Sequence, residues 1–198
     1  MAITLNLKQI TELAGHDARR MKQMADEDIF QPIEKPRAQR VARLYSLSEA
    51  AIALIVARLD RYGIKPGSLF NVAAFLRDVM MAPAYFGFNT VEEAIRRRWN
   101  DYIFGVAKTE GTDKAKKVAS DLGIDAIPSR EIGLALADLH HIDNWLSIRE
   151  ALDGKETKLS LAVKDNGDWT LWFGNPVSDE VDNYIVLRLD RILSVLRT

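Results

Sequence analysis

Two groups of basic and amide side chains near the start of the chain are residue types that proteins use to bind nucleic acid. The first group, in one short segment, consists of Arg19, Arg20, Lys22 and Gln23. The second group, which follows shortly afterwards, consists of Lys35, Arg37, Arg40 and Arg43. Arginine and lysine pair with guanine edges or phosphates, and glutamine can pair bidentately with adenine. These residues therefore indicate DNA recognition rather than covalent chemistry.

A histidine pair is the other feature with possible chemistry. His140 and His141 lie between Asp138 and Asp143. Neighbouring residues of a helix point in directions about 100° apart, so the two imidazoles would not easily share one ion. The pair also lacks the four-residue spacing of helical zinc ligands. We therefore expect no metal ion, no cofactor and no catalytic residue.

Two short helices must position the first basic group. Apolar residues at helical spacing predict a first helix that Gly15 ends, because glycine readily takes the left-handed conformation found at helix ends. Asp17 is suited to cap a second helix that reaches about Asp26. On that helix, Met21 and Met24 should face the core, which leaves the basic group facing outward.

The second basic group lies in a loop between two predicted strands. Ile29-Phe30 and Leu44-Tyr45 are the expected strands, and Pro32 and Pro36 keep the intervening chain out of a helix. A long helix should follow, capped by Ser46 or Ser48, with an apolar stripe suited to a core. The members of that stripe are Ile52, Ile55, Val56 and Leu59.

From Leu7 to about Met80, the sequence resembles the DNA-binding domain of MerR-type regulators, the winged helix-turn-helix shared with phage excisionases. The matching features are Gly15, Ile29-Phe30 followed by Pro32, Arg43-Leu44-Tyr45-Ser46, and the helix ending Asp60-Arg61-Tyr62-Gly63-Ile64. In that family, outward residues of the second helix contact bases and basic residues of the wing contact phosphates. By position, the resemblance implies DNA contacts by Arg19, Arg20, Lys22, Gln23, Arg37, Arg40, Arg43 and Tyr45.

The sequence departs from that family at three points. It has Gln23-Met24 where the family usually has paired aromatic residues, and no glycine lies between Pro32 and Arg43 for the tip of the wing. The family usually continues with one long dimerisation helix, whereas here Pro83 interrupts the chain. The resemblance therefore covers about the first 80 residues.

The remainder of the chain is expected to be an α+β module. Thr90 should cap a helix from Val91 to about Lys108, and another helical stretch should run from Ser129 to near Gly154. Residues 158–173 alternate as two strands do, with Asn166-Gly167 as a hairpin turn between them. A third strand over residues 184–189 and a closing helix over 191–196 complete the module.

Composition excludes several classes of protein. The 198 residues contain no cysteine, which rules out disulfides, thiolate metal sites and a cysteine nucleophile. The N-terminal sequence lacks the basic start and apolar run of a signal peptide, and no apolar stretch approaches the roughly 20 residues of a membrane helix. We therefore expect a cytoplasmic protein. Residues 1–82 contain 12 Lys or Arg against 9 Asp or Glu, whereas the rest of the chain is acidic overall.

The expected fold class is α+β and mostly helical, with a winged helix-turn-helix at residues 1–82 and a dimerisation, effector or partner-binding domain at 83–198. The leading hypothesis is a sequence-specific transcriptional regulator that binds double-stranded DNA as a homodimer, with a possible small-molecule effector or protein partner and no membrane association. One alternative is an architectural DNA-binding protein, either excisionase-like or acting in partition or packaging. A small-molecule enzyme with a site near His140 is a weaker alternative, because the sequence lacks a glycine-rich phosphate loop and a nucleophile elbow.

Overall fold

The computed structural model describes residues 3–34, 42–123, 136–163, 169–174 and 184–197. The fold is mostly helical with two small antiparallel sheets, in agreement with the expected α+β class. The chain divides into two compact units. One comprises Met1–Met80 together with Ser147–Thr198, and the other comprises Met81–Leu146.

The N-terminal elements begin as the capping residues predict. Strand β1 (Thr4–Asn6) leads into α1 (Leu7–Ala14), where the Asn6 side chain accepts a hydrogen bond from the Gln9 amide and the Gln9 side chain accepts one from the Asn6 amide. This reciprocal capping box satisfies two backbone donors at the helix start. Gly15 ends α1 with a φ of 55°, and Asp17 caps α2 (Ala18–Asp26). Both predicted helices are therefore confirmed.

The strand arrangement differs from the expected one. Strand β2 (Leu44–Ser46) is present, but it pairs with β1, with Leu5 opposite Tyr45. The prediction of a strand at Ile29-Phe30 was wrong. The Ile29 amide donates to the Met24 carbonyl at 3.0 Å and Asp28 has a φ of 55°, so the chain folds back on the end of α2. Both Ile29 and Phe30 are core residues instead.

Helix α3 (Leu47–Asp60) is the centre of this unit. Ser46 is its cap, and its side chain accepts a hydrogen bond from the Glu49 amide at 3.2 Å. Every residue from Ala50 to Ala57 is buried, so the buried surface is far wider than the predicted stripe. The reason is that α1, β2 and α4 (Pro66–Met80) contact α3 from several sides. A helix that is apolar all round is typical of such a central position.

The unit comprising Met81–Leu146 contains α5 (Ala82–Phe86), α6 (Val91–Glu110), α7 (Thr112–Asp121) and the first part of α8 (Leu136–Leu152). Thr90 caps α6 as predicted and forms a capping box with Glu93. Helices α6 and α7 pack through a small apolar cluster of Ile103, Val106, Ala115 and Ala119.

The three C-terminal strands are present as the sequence predicts, two of them from the alternation, whereas the expected Asn166-Gly167 turn lies outside the described residues. Strands β3 (Lys158–Val163), β4 (Trp169–Phe173) and β5 (Tyr184–Arg188) form an antiparallel sheet with β3 in the middle. Helix α9 (Leu189–Ile192) and a 3-10 helix (Leu193–Leu196) follow and contact α3. These contacts explain why the C-terminal residues belong to the N-terminal unit, in contrast to the expected single division after residue 82.

An ion pair stabilises the junction between β5 and α9. Arg188 donates from Nε and Nη2 to the two oxygens of Asp190, at 3.0 and 2.9 Å, and the Thr157 amide donates to Asp190 Oδ1 at 3.3 Å. These hydrogen bonds, with that of Arg188 the strongest, lower the pKa of Asp190 from 3.8 to about 2.

We expect the Asp190 carboxylate to make the fold sensitive to acid. Because its pKa is lower in the folded chain than in the unfolded chain, its stabilisation is complete above pH 3.8 and is lost as the pH falls towards 2. Urea unfolding between these pH values should show a smaller pH dependence for Asp190→Asn than for the native protein. The exposed Asp113→Asn should keep the native pH dependence, and equal profiles for all three proteins would contradict the prediction.

Among the described residues, each helix is either too short or too polar to cross a membrane.

Candidate nucleic-acid interface

The exposed face of α2 is the centre of the candidate interface. Met21, Met24 and Ala25 are buried, and this places the intervening polar residues on the opposite side of the helix. Arg19, Lys22 and Gln23 are exposed there, as the helical periodicity predicts. Arginine, lysine and glutamine are suited to hydrogen bonding with base edges in a major groove. A matching set of side chains is therefore available on one face.

Two of these side chains have acidic partners four residues later, about one helical turn further along the chain. Lys22 Nζ lies 3.9 Å from Asp26 Oδ2, and Gln23 Nε2 donates to Glu27 Oε1 at 2.7 Å. Both contacts are on the surface, where such interactions contribute little to stability. A nucleic acid that binds Lys22 or Gln23 would have to displace these two acidic side chains. The start of α2, near Arg19, is the less acidic end of this face.

Arg20 has a different role from the one that its sequence position implies. Its Nε and Nη2 donate to the Asp60 carboxylate at the end of α3, with Nη2 2.6 Å from Oδ1. The hydrogen bonds from Arg20 lower the pKa of Asp60. The guanidinium is thus held in the protein, and the expected base contact by Arg20 is corrected to a structural ion pair between α2 and α3.

His16 completes this polar cluster. Its Nδ1 accepts a hydrogen bond from the Asp17 amide at 2.8 Å, so the ring carries its proton on Nε2. That nitrogen lies 3.0 Å from Asp60 Oδ2 and donates to it. Asp60 therefore joins the turn before α2 and the first part of α2 to the end of α3.

The turn between α1 and α2 is also held by the residue after Asp60. Arg61 donates from Nη2 to the carbonyl oxygens of Ala14 and Gly15, the former at 3.0 Å. A cation at the C-terminal end of a helix is favourable because the last carbonyl groups lack partners within the helix. Asp60 and Arg61 together fix the entry of α2 relative to α3.

A second polar cluster holds the chain that leaves α2. Glu49, in the first turn of α3, accepts a hydrogen bond from the Gln31 amide at 2.7 Å and one from Arg77 Nε at 2.6 Å. Arg77 also donates to the Ile29 carbonyl at 3.2 Å. The start of the basic loop is consequently anchored to both α3 and α4.

The return side of the basic loop is held by Arg43 and Tyr45. Arg43 Nη1 pairs with Asp26 Oδ1 at 2.8 Å, which links the start of β2 to the end of α2. Tyr45 is fully buried, its ring 5.4 Å from that of Phe30, and burial raises its pKa. The expected DNA contact by Tyr45 is therefore corrected, because a ring with no exposed surface cannot reach a nucleic acid. Arg43 is likewise engaged within the protein.

The other basic residues of the loop, Arg37 and Arg40, lie outside the described residues, as does Lys35. Their expected phosphate contacts stay predictions. The residues that the sequence did not indicate are His16, Asp60, Arg61 and Arg77. Asp60 and Arg61 stand in the stretch that carries the family resemblance, but no local spacing connects them to a turn more than 40 residues earlier.

The histidine pair shows no sign of a metal site within the described part of the chain. His140 is exposed and His141 is half-buried, both on α8. No group of three histidine, aspartate or glutamate residues among the described positions is arranged to hold a metal ion.

No family model, no curated protein and no solved structure matches this chain.

Proposed function

We propose that the protein is a sequence-specific DNA-binding regulator of transcription that uses residues 1–82 as a winged helix-turn-helix. The observation that supports the proposal is the exposed basic and amide face of α2, on a helix whose other side is fixed by buried methionines and by the Asp60 cluster. A rigidly held helix with such a face is what major-groove recognition requires. The resemblance to MerR-type regulators supports the same function.

The side chains divide into two sets under this proposal. Arg19, Lys22 and Gln23 contact base edges, and the loop residues Arg37 and Arg40 contact phosphates. Arg20 and Arg43 instead orient α2 and the loop through their carboxylate partners. This division assigns specificity to α2 and most of the electrostatic affinity to the loop.

We propose further that two copies bind a pseudo-palindromic site, because helix-turn-helix proteins commonly match a two-fold axis in the DNA. The unit comprising Met81–Leu146 is the candidate for dimerisation or for binding an effector or partner. Sedimentation of the protein with and without its DNA site tests the stoichiometry.

The α2 assignment predicts a specific loss of affinity. Arg19→Ala and Lys22→Ala should each weaken binding to the selected site by roughly 1–3 kcal/mol, with less effect on unrelated DNA, because a lost base contact removes discrimination. The site is first obtained by selection from random double-stranded DNA and footprinting, and affinities are then measured by fluorescence anisotropy. Lys116→Ala, an exposed lysine of α7, is the matched control and should bind like the native protein.

The loop assignment predicts a different pattern. Arg37→Ala and Arg40→Ala should weaken binding to all sequences similarly and reduce the dependence of affinity on salt, because each phosphate contact releases counterions. The proposal would be wrong if selection yielded no preferred sequence and if the Arg19, Lys22, Arg37 and Arg40 variants all bound DNA as the native protein does. Helix α2 and the loop would then not form the DNA-binding surface.

An architectural DNA-binding protein, excisionase-like or acting in partition or packaging, is the second candidate. The observation that favours it is that α4 ends at Met80 and the five-residue α5 follows, so the long dimerisation helix typical of MerR-type regulators does not come next. A reporter fused to the selected site separates the two functions. Altered transcription supports the regulator, whereas DNA bending without any change in transcription supports the architectural protein.

A further inference from the structure

A cavity of about 360 Å³ lies in the unit that contains the N-terminal helices, and none of its lining residues belongs to α2. It is formed where β1, α1, the start of α3 and the 3-10 helix meet. The lining residues are Ile3, Leu5, Gln9, Glu12, Leu13, Leu47, Val195 and Leu196. Its volume lies within the range of small-molecule sites, which is about 300–1,000 Å³.

Most of the cavity wall is apolar surface that the protein itself leaves uncovered. Ile3 is 58% exposed, and Leu5, Leu13, Leu47 and Val195 are each partly exposed. A ligand that covers these apolar side chains removes their surface from water, and this burial contributes favourably to the free energy of binding. The wall therefore favours a ligand with an apolar body.

Two polar side chains in the lining determine the charge of that ligand. Gln9 uses its Oε1 to accept a hydrogen bond from the Asn6 amide at 2.8 Å, so it offers the cavity a neutral amide rather than a charge. Glu12 provides a carboxylate, and Lys8 Nζ lies 3.9 Å from it on the adjacent turn of α1. Because both of these side chains are mostly exposed, their pairing is weak and a bound cation can replace it.

We propose that this cavity binds a small amphipathic amine, with its apolar body against the leucine side chains and its ammonium group paired with Glu12. A carboxylic acid of the same shape is disfavoured by repulsion from Glu12. A neutral alcohol retains the apolar contacts but lacks the ion pair. The order of affinity is therefore amine, alcohol, carboxylate. This proposal does not depend on DNA binding, because ligand binding alone tests it.

Calorimetric titration of the full chain with three matched probes tests the proposal. The probes are 4-phenylbutylamine, 4-phenylbutanol and 4-phenylbutanoate, which share one apolar body and differ in charge. We expect one amine per chain and an affinity for the amine about tenfold or more above that for the carboxylate. Failure of the amine to bind, or equal binding of amine and carboxylate, would overturn the proposal.

Variants locate the site and its charge. Glu12→Gln should reduce amine affinity about threefold and leave alcohol affinity unchanged, whereas Glu92→Gln on α6 should change neither. Leu47→Trp should block all three probes by filling the cavity. Since this variant also alters the packing of α3, methyl NMR of the native protein provides an independent measurement. Amine-induced shifts should appear at Leu5, Leu13 and Leu47, and shifts confined to other methyl groups would contradict the proposed site.

Discussion

Replacing Asp60 by alanine should lower the free energy of unfolding by about 2–3 kcal/mol. The carboxylate accepts hydrogen bonds from both Arg20 and His16, and the side chain of Asp60 is only 12% exposed. Its removal leaves a guanidinium without its partner between α2 and α3, and breaking a buried pair costs about 3–5 kcal/mol. We place the expected loss below that range because Arg20 is 23% exposed and water can reach it. Urea unfolding monitored by circular dichroism measures the change.

Two further variants separate this effect from a general loss of charge. Asp113→Ala removes a carboxylate that is fully exposed on α7 and should leave stability nearly unchanged. The double variant Arg20→Met with Asp60→Leu should be more stable than Asp60→Ala alone, because apolar groups replace both members of the pair. If Asp60→Ala and the native protein have the same midpoint of urea unfolding, the Asp60 cluster does not fix α2 in solution.

Asp60→Ala also tests the proposed role of Arg20, which is to orient α2 and not to contact a base. Under the proposed function, Asp60→Ala should weaken DNA binding although Asp60 itself carries the wrong charge to contact DNA. The physical reason is that α2 loses its fixed orientation, so that binding must also order the helix. An affinity that rises on removal of this negative charge would instead indicate a direct electrostatic effect.

Replacing Phe30 by alanine should lower the free energy of unfolding by roughly 3–5 kcal/mol, the range for truncating a buried phenylalanine. Phe30 has no exposed surface, and its ring packs against Tyr45 with 5.4 Å between ring centroids and 55° between ring planes. The substitution removes the side chain that links the segment after α2 to β2. Thermal and urea unfolding both measure the loss.

Tyr85→Ala is the matched control for this prediction, because it truncates an aromatic side chain that is 66% exposed. It should change stability far less than Phe30→Ala. Phe30→Leu should fall between the native protein and Phe30→Ala, since leucine fills part of the cavity left by the ring. If Phe30→Ala were as stable as the native protein, the segment after α2 that contains Phe30 would not be part of the core.

Helix boundaries and caps were predictable because their signals are local. Asp17, Ser46 and Thr90 each accept a hydrogen bond from an amide three residues later, and Gly15 has the left-handed conformation that ends α1. Such signals depend on side chains within one turn of the backbone they cap. The alternating strands β3 and β4 were predictable for a similar reason, since a period of two identifies a sheet face.

Strand pairing and the composition of the core were less predictable. β1 has three residues, too few to show a period, and its partner β2 lies about forty positions away along the chain. Ile29 and Phe30 have a composition typical of strands, but the turn at Asp28 returns them to α2. The breadth of the buried surface of α3 also depended on which elements surround it, including α9 and the 3-10 helix from the far end of the chain.

The sequence by itself determined which side chains face outward on α2, because burial of Met21 and Met24 fixes the helix rotation and exposes Arg19, Lys22 and Gln23. Only the tertiary structure decided which basic residues remain available to a ligand. Arg20 and Arg43 have the same chemistry as Arg19, yet Asp60 and Asp26 hold them within the protein. The physical reason is that a hydrogen-bonded ion pair requires contact within a few ångströms, and for residues far apart in sequence the packing of the helices sets that distance.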